Sequence, residues 1–255
     1  MKKLKIIAVL PARMGSSRYP GKPLIKILDI PMIEHVRRRI LKCNIFERVI
    51  VATCDKKIFE TISNYGGDVV MTSKKHKMAS DRVAEVVKSI DCTHVVNIQG
   101  DEILVIPNEI KKLVAKIKDN PNIDFWNAIA PIKNKSELID RNIVKCSISN
   151  NNNVIFCSRF IKEDSSYKNI QVVYSILGIL AFSRRGILNF SKLKRTSIEQ
   201  RDSIDQMRII QNDKLLKSVK FNKAYPGINT RSEEKKVRKI LKNDKVQKKI
   251  LESII

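Results

Sequence analysis

The chain has 255 residues, 43% of them hydrophobic, and a formal net charge of +24. That is enough apolar material for one large core, and no apolar run approaches the roughly 20 residues that a membrane span needs. Charge alone admits nucleic-acid binding, but the lysines are spread over nearly every predicted helix and the aromatics, at 5%, are not interleaved with them as a base-stacking surface requires.

The reading is therefore a solvated basic surface, compatible with a small anionic substrate, with no specific nucleic acid and no membrane as partner. Met1-Lys2-Lys3 and the short apolar run after it lack a small-residue cleavage site, so no leader peptide is expected. The five cysteines (Cys43, Cys54, Cys92, Cys146 and Cys157) are scattered and odd in number. They fit a reducing compartment, so a cytoplasmic location is expected.

Lys5 to Leu10 has the composition of a buried strand and is expected to stop at Pro11. The stretch after it, Ala12-Arg13-Met14-Gly15-Ser16-Ser17-Arg18-Tyr19-Pro20-Gly21-Lys22-Pro23-Leu24, is small, polar and basic. Small residues let backbone N–H groups approach an anion, and Arg13, Arg18 and Lys22 bring charge, so the loop reads as a phosphate cradle. It reads equally well as a basic surface loop. It is not a Walker A loop, because Gly21-Lys22 is followed by Pro23, and it is not a G-x-G-x-x-G turn.

A helix is predicted from Pro31, with Met32, Ile33, Val36, Ile40 and Leu41 on its apolar face and Glu34, Arg37, Arg38 and Lys42 on the other. Val49 to Thr53 is a second strand, Lys56 to Tyr65 a helix closed by Gly66-Gly67, and Val69 to Met71 a third strand. Ser80 to Ile90 reads as a helix, Thr93 to Ile98 as a fourth strand ending at Gln99-Gly100-Asp101-Glu102, and Pro107 to Lys118 as a helix. The middle of the chain is β-rich, with apolar runs at Phe125–Ala130, Ile143–Ser147, Val154–Cys157 and Ile176–Phe182. Ser197 to Gln211 is predicted as one helix, Lys217 to Phe221 as a last strand, and Ser232 to Leu251 as one terminal amphipathic helix.

Alternating strands and helices over the first 120 residues predict an α/β fold: an open, mostly parallel sheet with helices on both faces. Residues 1–255 are read as a single domain, with 124–190 extending the sheet and forming a dimer arm. Ligands of such sheets bind outside the carboxyl ends of the strands. The basic loop follows strand one and Asp101 follows strand four, so phosphate donors and a carboxylate are expected to share one crevice, as a magnesium nucleotide requires.

The motifs, taken together, are similar to those of the CMP-Kdo synthetases, the cytidylyltransferases that activate 3-deoxy-manno-octulosonate (Kdo), within the sugar nucleotidyltransferases. The resemblance rests on Pro11-Ala12-Arg13 through Ser16 to Leu24, Pro31-Met32-Ile33 with His35-Val36, Val49 to Thr53, Gly66-Gly67 and Asn97 to Glu102. It continues through Ser158-Arg159, Leu177-Gly178-Ile179, Asp205 to Arg208 and Pro226-Gly227.

It implies a fold of the nucleotide-diphospho-sugar transferase kind and a homodimer. It also implies a reaction of CTP with a 2-keto-3-deoxy sugar acid, Kdo or a relative, giving the CMP-sugar and pyrophosphate, as in lipopolysaccharide biosynthesis. By resemblance, Pro11, Ala12, Arg13, Ser16, Lys22, Ser80 and Arg82 contact the nucleotide, with Arg13 and Lys22 on the triphosphate. Asp101 ligates Mg2+, Gln99 touches the sugar acid, and Glu199, Asp202 and Gln206 face the sugar.

The chain departs from the family in several places, among them Ile103 where the family has Pro after Asp-Glu. The second metal aspartate is Asn229, which offers an amide oxygen without charge. The Ser-Gly pair of the cytidine segment is Met78-Ala79, and the sugar-side segment reads Ile176 and Gly178-Ile179-Leu180-Ala181-Phe182, more apolar than the family's. These changes favour a sugar acid other than Kdo itself. They also leave open a catalytically impaired nucleotide-binding homologue. His35 and His94 are expected to be packing or surface residues and not ligands, and no His/Cys spacing suggests zinc.

Overall fold

The computed structural model describes residues 3–16, 18–161 and 173–255. Met1 and Lys2 of the rejected leader, Ser17 of the basic loop, and residues 162–172 of the expected dimer arm lie outside them. The described chain groups into two compact units: residues 1–114 with 225–255, and residues 115–224.

The first unit starts with strand β1 (Ile6–Ala12), every residue of which is buried. Helix α1 (Met32–Leu41) follows, then β4 (Val49–Thr53), α2 (Lys56–Asn64), β5 (Asp68–Met71), α3 (Ala79–Ser89), β6 (His94–Ile98) and α4 (Pro107–Asp119). Between β1 and α1 lie a 3-10 turn over Lys22–Leu24 and a two-residue hairpin, β2 (Lys26–Ile27) with β3 (Ile30–Pro31). The sheet order within this unit is β6-β1-β4-β5, all parallel. Burial along the whole of β1, β4 and β6 shows that both faces of the sheet are covered, as parallel strands require.

Strand β1 passes through Pro11 instead of stopping there, because the missing donor falls where no ladder needs it. Ala8 donates to Arg48 on the β4 side, so the odd-numbered amides, Pro11's position included, face β6. The registered β1–β6 pairing ends at Val9 with Asn97, whereas pairing with β4 continues through Pro11 with Ala52 and Ala12 with Thr53.

The polar face of α1 is largely covered: of Glu34, Arg37, Arg38 and Lys42, only Lys42 is exposed. Glu34 and Arg39 are fully buried and Arg37 nearly so, while Leu41 is exposed. Arg37 donates to both carboxylate oxygens of Glu34 at 2.7 and 2.8 Å, and Arg38 adds a bond at 2.9 Å.

The second unit carries β7 (Phe125–Pro131), α5 (Lys135–Ile139), β8 (Lys145–Ile148), β9 (Val154–Ser158) and β10 (Tyr174–Ser183). They are followed by α6 (Arg184–Phe190), α7 (Ser197–Asp202), α8 (Asp205–Ile210) and β11 (Lys217–Lys220). Strand β10 runs antiparallel to β7 and β8, β9 pairs antiparallel with β8, and β11 lies parallel to β7. The helix predicted over 197–211 is two helices, broken where Ser203 takes φ 54° and Ile204 turns into the core. The short helices α5 and α6 are not foreseen from periodicity; both are capped by side chains, Asn134 and Ser183.

The chain returns to the first unit with α9 (Arg231–Asn243) and α10 (Lys245–Glu252). The terminal helix predicted as one element breaks at Asp244, whose carboxylate caps α10 by accepting from Val246 and Gln247. Arg38 and Arg39 of α1 hold this end, donating to the Ile254 carbonyl and to Gln247 Oε1 at 2.7 Å each. No helix among the described residues is long and apolar enough to cross a membrane.

Candidate active site at the strand ends

Parallel strands β1 and β6 are direct neighbours, so the segments leaving their carboxyl ends must share space. Gly100 makes this possible: a Cβ there would stand 3.0 Å from the Pro11 carbonyl and 3.1 Å from Ile33 Cδ1. A third segment closes in from the turn before α9. A Cβ on Gly227 would lie 2.9 Å from the Asp101 carbonyl oxygen, and the Ile228 amide donates to that oxygen at 3.3 Å.

Lys22, Asp101 and Asn229 meet at this convergence. Lys22 Nζ donates to Asp101 Oδ2 at 2.7 Å and to Asn229 Oδ1 at 2.8 Å. The Lys22 and Asp101 side chains keep only 14% and 15% of their exposure, so this ion pair is partly withdrawn from water and worth more than an exposed one. Asn229 is set by the start of α9. Its amide donates to Glu233 Oε2 at 2.7 Å, while the Thr230 hydroxyl accepts from the Glu233 amide as N-cap.

The basic loop is folded on itself and anchored at two points. The Met14 carbonyl accepts from the amides of Ser16 and Gly21, and Gly21 holds φ 75° to make that return. The Met14 amide donates to Asp55 Oδ2 at 2.8 Å, and the Tyr19 hydroxyl donates to Glu234 Oε2 on α9 at 2.6 Å. That last bond holds the Tyr19 phenol above its ordinary pKa and is the chief reason the Glu234 carboxyl lies below its own. Arg13 and Arg18 remain exposed, and Ser16 is half-buried.

Around the expected cytidine segment, Ser80 is buried and its hydroxyl lies 3.4 Å from Asn97 Nδ2. The Arg82 guanidinium is also buried. It bonds the Thr72 hydroxyl, the Ser73 carbonyl and the Cys54 sulfur, and so ties the ends of β4 and β5 together. His76 pairs with Glu85, which also accepts from the Ser73 amide. Gln99 is half-buried, its carbonyl accepting from the Glu102 amide.

The three sugar-side residues belong to the second unit. Glu199 is fully buried and its carboxylate is occupied: Arg208 donates to its two oxygens at 2.9 and 2.5 Å, and Arg195 adds a bond at 3.1 Å. The Arg208 guanidinium also lies 4.2 Å from the Phe190 ring centroid. Gln206 is buried with its amide on Asn127 Oδ1 at 2.7 Å. Asp202 is gripped by Arg201 at 2.8 and 2.9 Å, which holds its carboxyl below the usual range. Within their unit, Glu199 and Gln206 thus serve the interior.

Of the packing and surface alternatives, the structure places both His35 and His94 in the interior. His35 Nε2 lies 2.5 Å from the Ile27 carbonyl oxygen, and burial lowers its pKa to about 4, so the ring is neutral. All five cysteines are free and buried.

The family described as Cytidylyltransferase matches residues 7–218. The 3-deoxy-manno-octulosonate cytidylyltransferase of Syntrophotalea carbinolica is 32% identical over 89% of this chain and 94% of its own. The chain belongs to the cytidylyltransferase family. It stands among the 3-deoxy-manno-octulosonate cytidylyltransferases, a mitochondrial enzyme of Arabidopsis thaliana included, which is 31% identical over 93% of this chain and 83% of its own.

A solved structure of CMP:2-keto-3-deoxy-manno-octonic acid synthetase complexed with CTP matches with a TM-score of 0.86 at 28% identity, covering 94% of this chain and 99% of that one. The inositol-1-phosphate CTP transferase from T. maritima shares the fold alone, with a TM-score of 0.67 at 14% identity, covering 99% and 98% of the two chains.

For a cytidylyltransferase, the arrangement supplies what transfer at a phosphate needs: a fixed loop of small residues, positive charge, and a carboxylate beside it. The sequence reading named Lys22, Asp101 and Asn229, and the fold brings these three together. No role was assigned from sequence to Asp55, Glu233, Glu234 or Gly227, which hold the parts in place. Asp55 was findable, since it follows a strand end in the same way as Asp101.

Proposed function

We propose that this cytidylyltransferase transfers CMP from CTP to a 2-keto-3-deoxy sugar acid of the Kdo type, releasing pyrophosphate. The observation that carries the reading is the meeting of the β1 loop's Lys22 with Asp101 at the end of β6, in a chain whose relatives are named for this reaction. The anomeric hydroxyl of the sugar acid attacks the α-phosphorus in line, and pyrophosphate leaves on the opposite side. The loop around Pro11, Ala12 and Ser16 lets the phosphates come close to the backbone, and Arg13 and Lys22 neutralise their charge. Ser80 and Arg82 shape the nucleotide side, and Gln99 orients the sugar acid. Asp202 stays near the surface of its unit as a sugar-side group, whereas Glu199 and Gln206 support that side from within.

Magnesium is part of this proposal, and the donor set fits it. Asp101 Oδ2 and Asn229 Oδ1 both lie within 2.8 Å of one point, the Lys22 nitrogen, so the two oxygens converge on a single cation, at ammonium distances that would close to about 2.1 Å around magnesium. One carboxylate and one neutral oxygen, completed by phosphate oxygens and water, suit the ion. When bound, it would supply further neutralisation of the phosphate charge.

The buried, unbridged cysteines favour the cytoplasm, and the chain is proposed to act as a homodimer through residues 124–190. A second reading, nucleotide binding without turnover, is favoured by Asn229 and by Met78-Ala79 in the cytidine segment. Pyrophosphate release with CTP and Mg2+ across Kdo and related 2-keto-3-deoxy acids separates the two readings. Turnover with one of the acids, falling at least a hundredfold in Asp101→Ala, is expected. A folded protein that binds CTP and releases no pyrophosphate with any acid refutes the enzyme reading.

A further inference from the structure

The two oxygens assigned above to a divalent ion are already engaged. Lys22 Nζ sits 2.7 Å from Asp101 Oδ2 and 2.8 Å from Asn229 Oδ1, and one position cannot hold an ammonium and a metal ion together. We propose that Lys22 is a built-in occupant of the metal position, closing the Asp101–Asn229 pair to divalent cations until a triphosphate draws the ammonium away.

Charge supports this. Asp101 contributes one negative charge and Asn229 none, so a single ammonium neutralises the pair. An aspartate at 229 would leave one negative charge uncompensated and keep attracting a metal ion past the lysine. The Asn229 departure therefore makes the lysine a sufficient counterion. The pair is also partly desolvated, which strengthens its hold on the ammonium.

Release needs little movement. Lys22 begins a short 3-10 turn directly after Gly21, and its charge rides on a flexible four-carbon stem. A triphosphate in the adjoining loop offers several anionic oxygens against one carboxylate. When the ammonium moves to it, Asp101 and Asn229 are freed as phosphate oxygens become available to complete a metal shell. Metal and nucleotide then bind interdependently, each tightening the other by the same factor, and the metal alone binds weakly. The inference rests on the assignment of Asp101 and Asn229 to the metal under Proposed function.

The test is a titration of the full chain with Mn2+ alone, followed by the electron paramagnetic resonance of the free ion and by calorimetry. Lys22→Met keeps the stem and removes the charge. It is expected to bind Mn2+ at least tenfold tighter than the wild type, and Asp101→Asn added to it should erase the gain. Equal Mn2+ binding in folded wild type and Lys22→Met overturns the proposal, and so does a gain that survives Asp101→Asn, which places the ion elsewhere.

Should Lys22→Met not fold, the wild type with 13C-methylated lysines serves, its Lys22 signal assigned through Lys22→Arg. That signal should shift with inorganic tripolyphosphate, and a signal indifferent to tripolyphosphate overturns the proposal. Failure of CTP turnover with every sugar acid, beside the expected Mn2+ result, removes the substrate reading and leaves the competition standing.

Discussion

Asp55 offers the sharpest test of how the phosphate loop is held. By position it is the N-cap of α2, and a sequence reading would credit its carboxylate with capping that helix. The structure diverts it: its side chain makes no cap bond, and Oδ2 accepts from the Met14 amide 2.8 Å away on the β1 loop. A hydrogen bond to a charged group contributes about 1.5–3 kcal/mol. At about 1.4 kcal/mol per decade, losing it should raise the KM for CTP roughly ten- to a hundredfold in Asp55→Ala. The same bond holds the free protein, so the melting temperature should also fall, by about 3–12 °C at roughly 2–4 °C per kcal/mol. Asp55→Asn keeps an acceptor oxygen without the charge and should recover part of the loss. Initial rates of pyrophosphate release over a range of CTP, beside thermal melts, give both quantities. An unchanged KM beside that fall would show that the loop's hold on CTP does not depend on Asp55.

Two further outcomes follow from the electrostatics. Glu199→Gln leaves Arg208 buried without its countercharge and should destabilise the fold by about 3–5 kcal/mol in denaturant unfolding; replacing both residues by apolar ones should restore much of it. An unchanged unfolding midpoint in Glu199→Gln would mean that the carboxylate is not the interior partner described. The Tyr19–Glu234 bond should show in pH-dependent melting of Tyr19→Phe against the wild type. Glu234 is held below its ordinary 4.5, so its contribution is present above that value and is lost as pH falls through the lower folded pKa. Tyr19 is held above its ordinary 10.0, so its contribution is present below that value and is lost as pH rises through the higher folded pKa. The stability difference should therefore form a plateau between these limits and shrink outside both; a difference independent of pH would refute the link.

The strands of the first unit were legible because parallel strands covered on both faces must be largely apolar runs, as Val49–Thr53 is and as His94–Ile98 is apart from His94 and Asn97. The candidate site was legible to the same depth. Lys22, Asp101 and Asn229 stand where a strand-end rule and the family motifs place them, and the fold confirms that they meet. Local pattern failed where a distant partner decided the outcome. The polar face of α1 looks solvated, yet Glu34, Arg37 and Arg38 satisfy one another and the C-terminal residues cover them. Glu199 looks like an exposed helix charge, and only Arg208 and Arg195 make its burial possible.

Sequence alone determined the alternating α/β order, the position of the basic loop after β1 and the residue types of the candidate site. These depend on composition and short-range periodicity, which each segment carries with it. Tertiary structure decided which charges are spent on the interior, why Pro11 can lie inside a strand, and where the Lys22 ammonium rests. Each of those turns on groups far apart in the chain, such as Lys22 with Asn229, whose approach depends on the parallel sheet and on a glycine, Gly227, small enough to let the last turn close against Asp101.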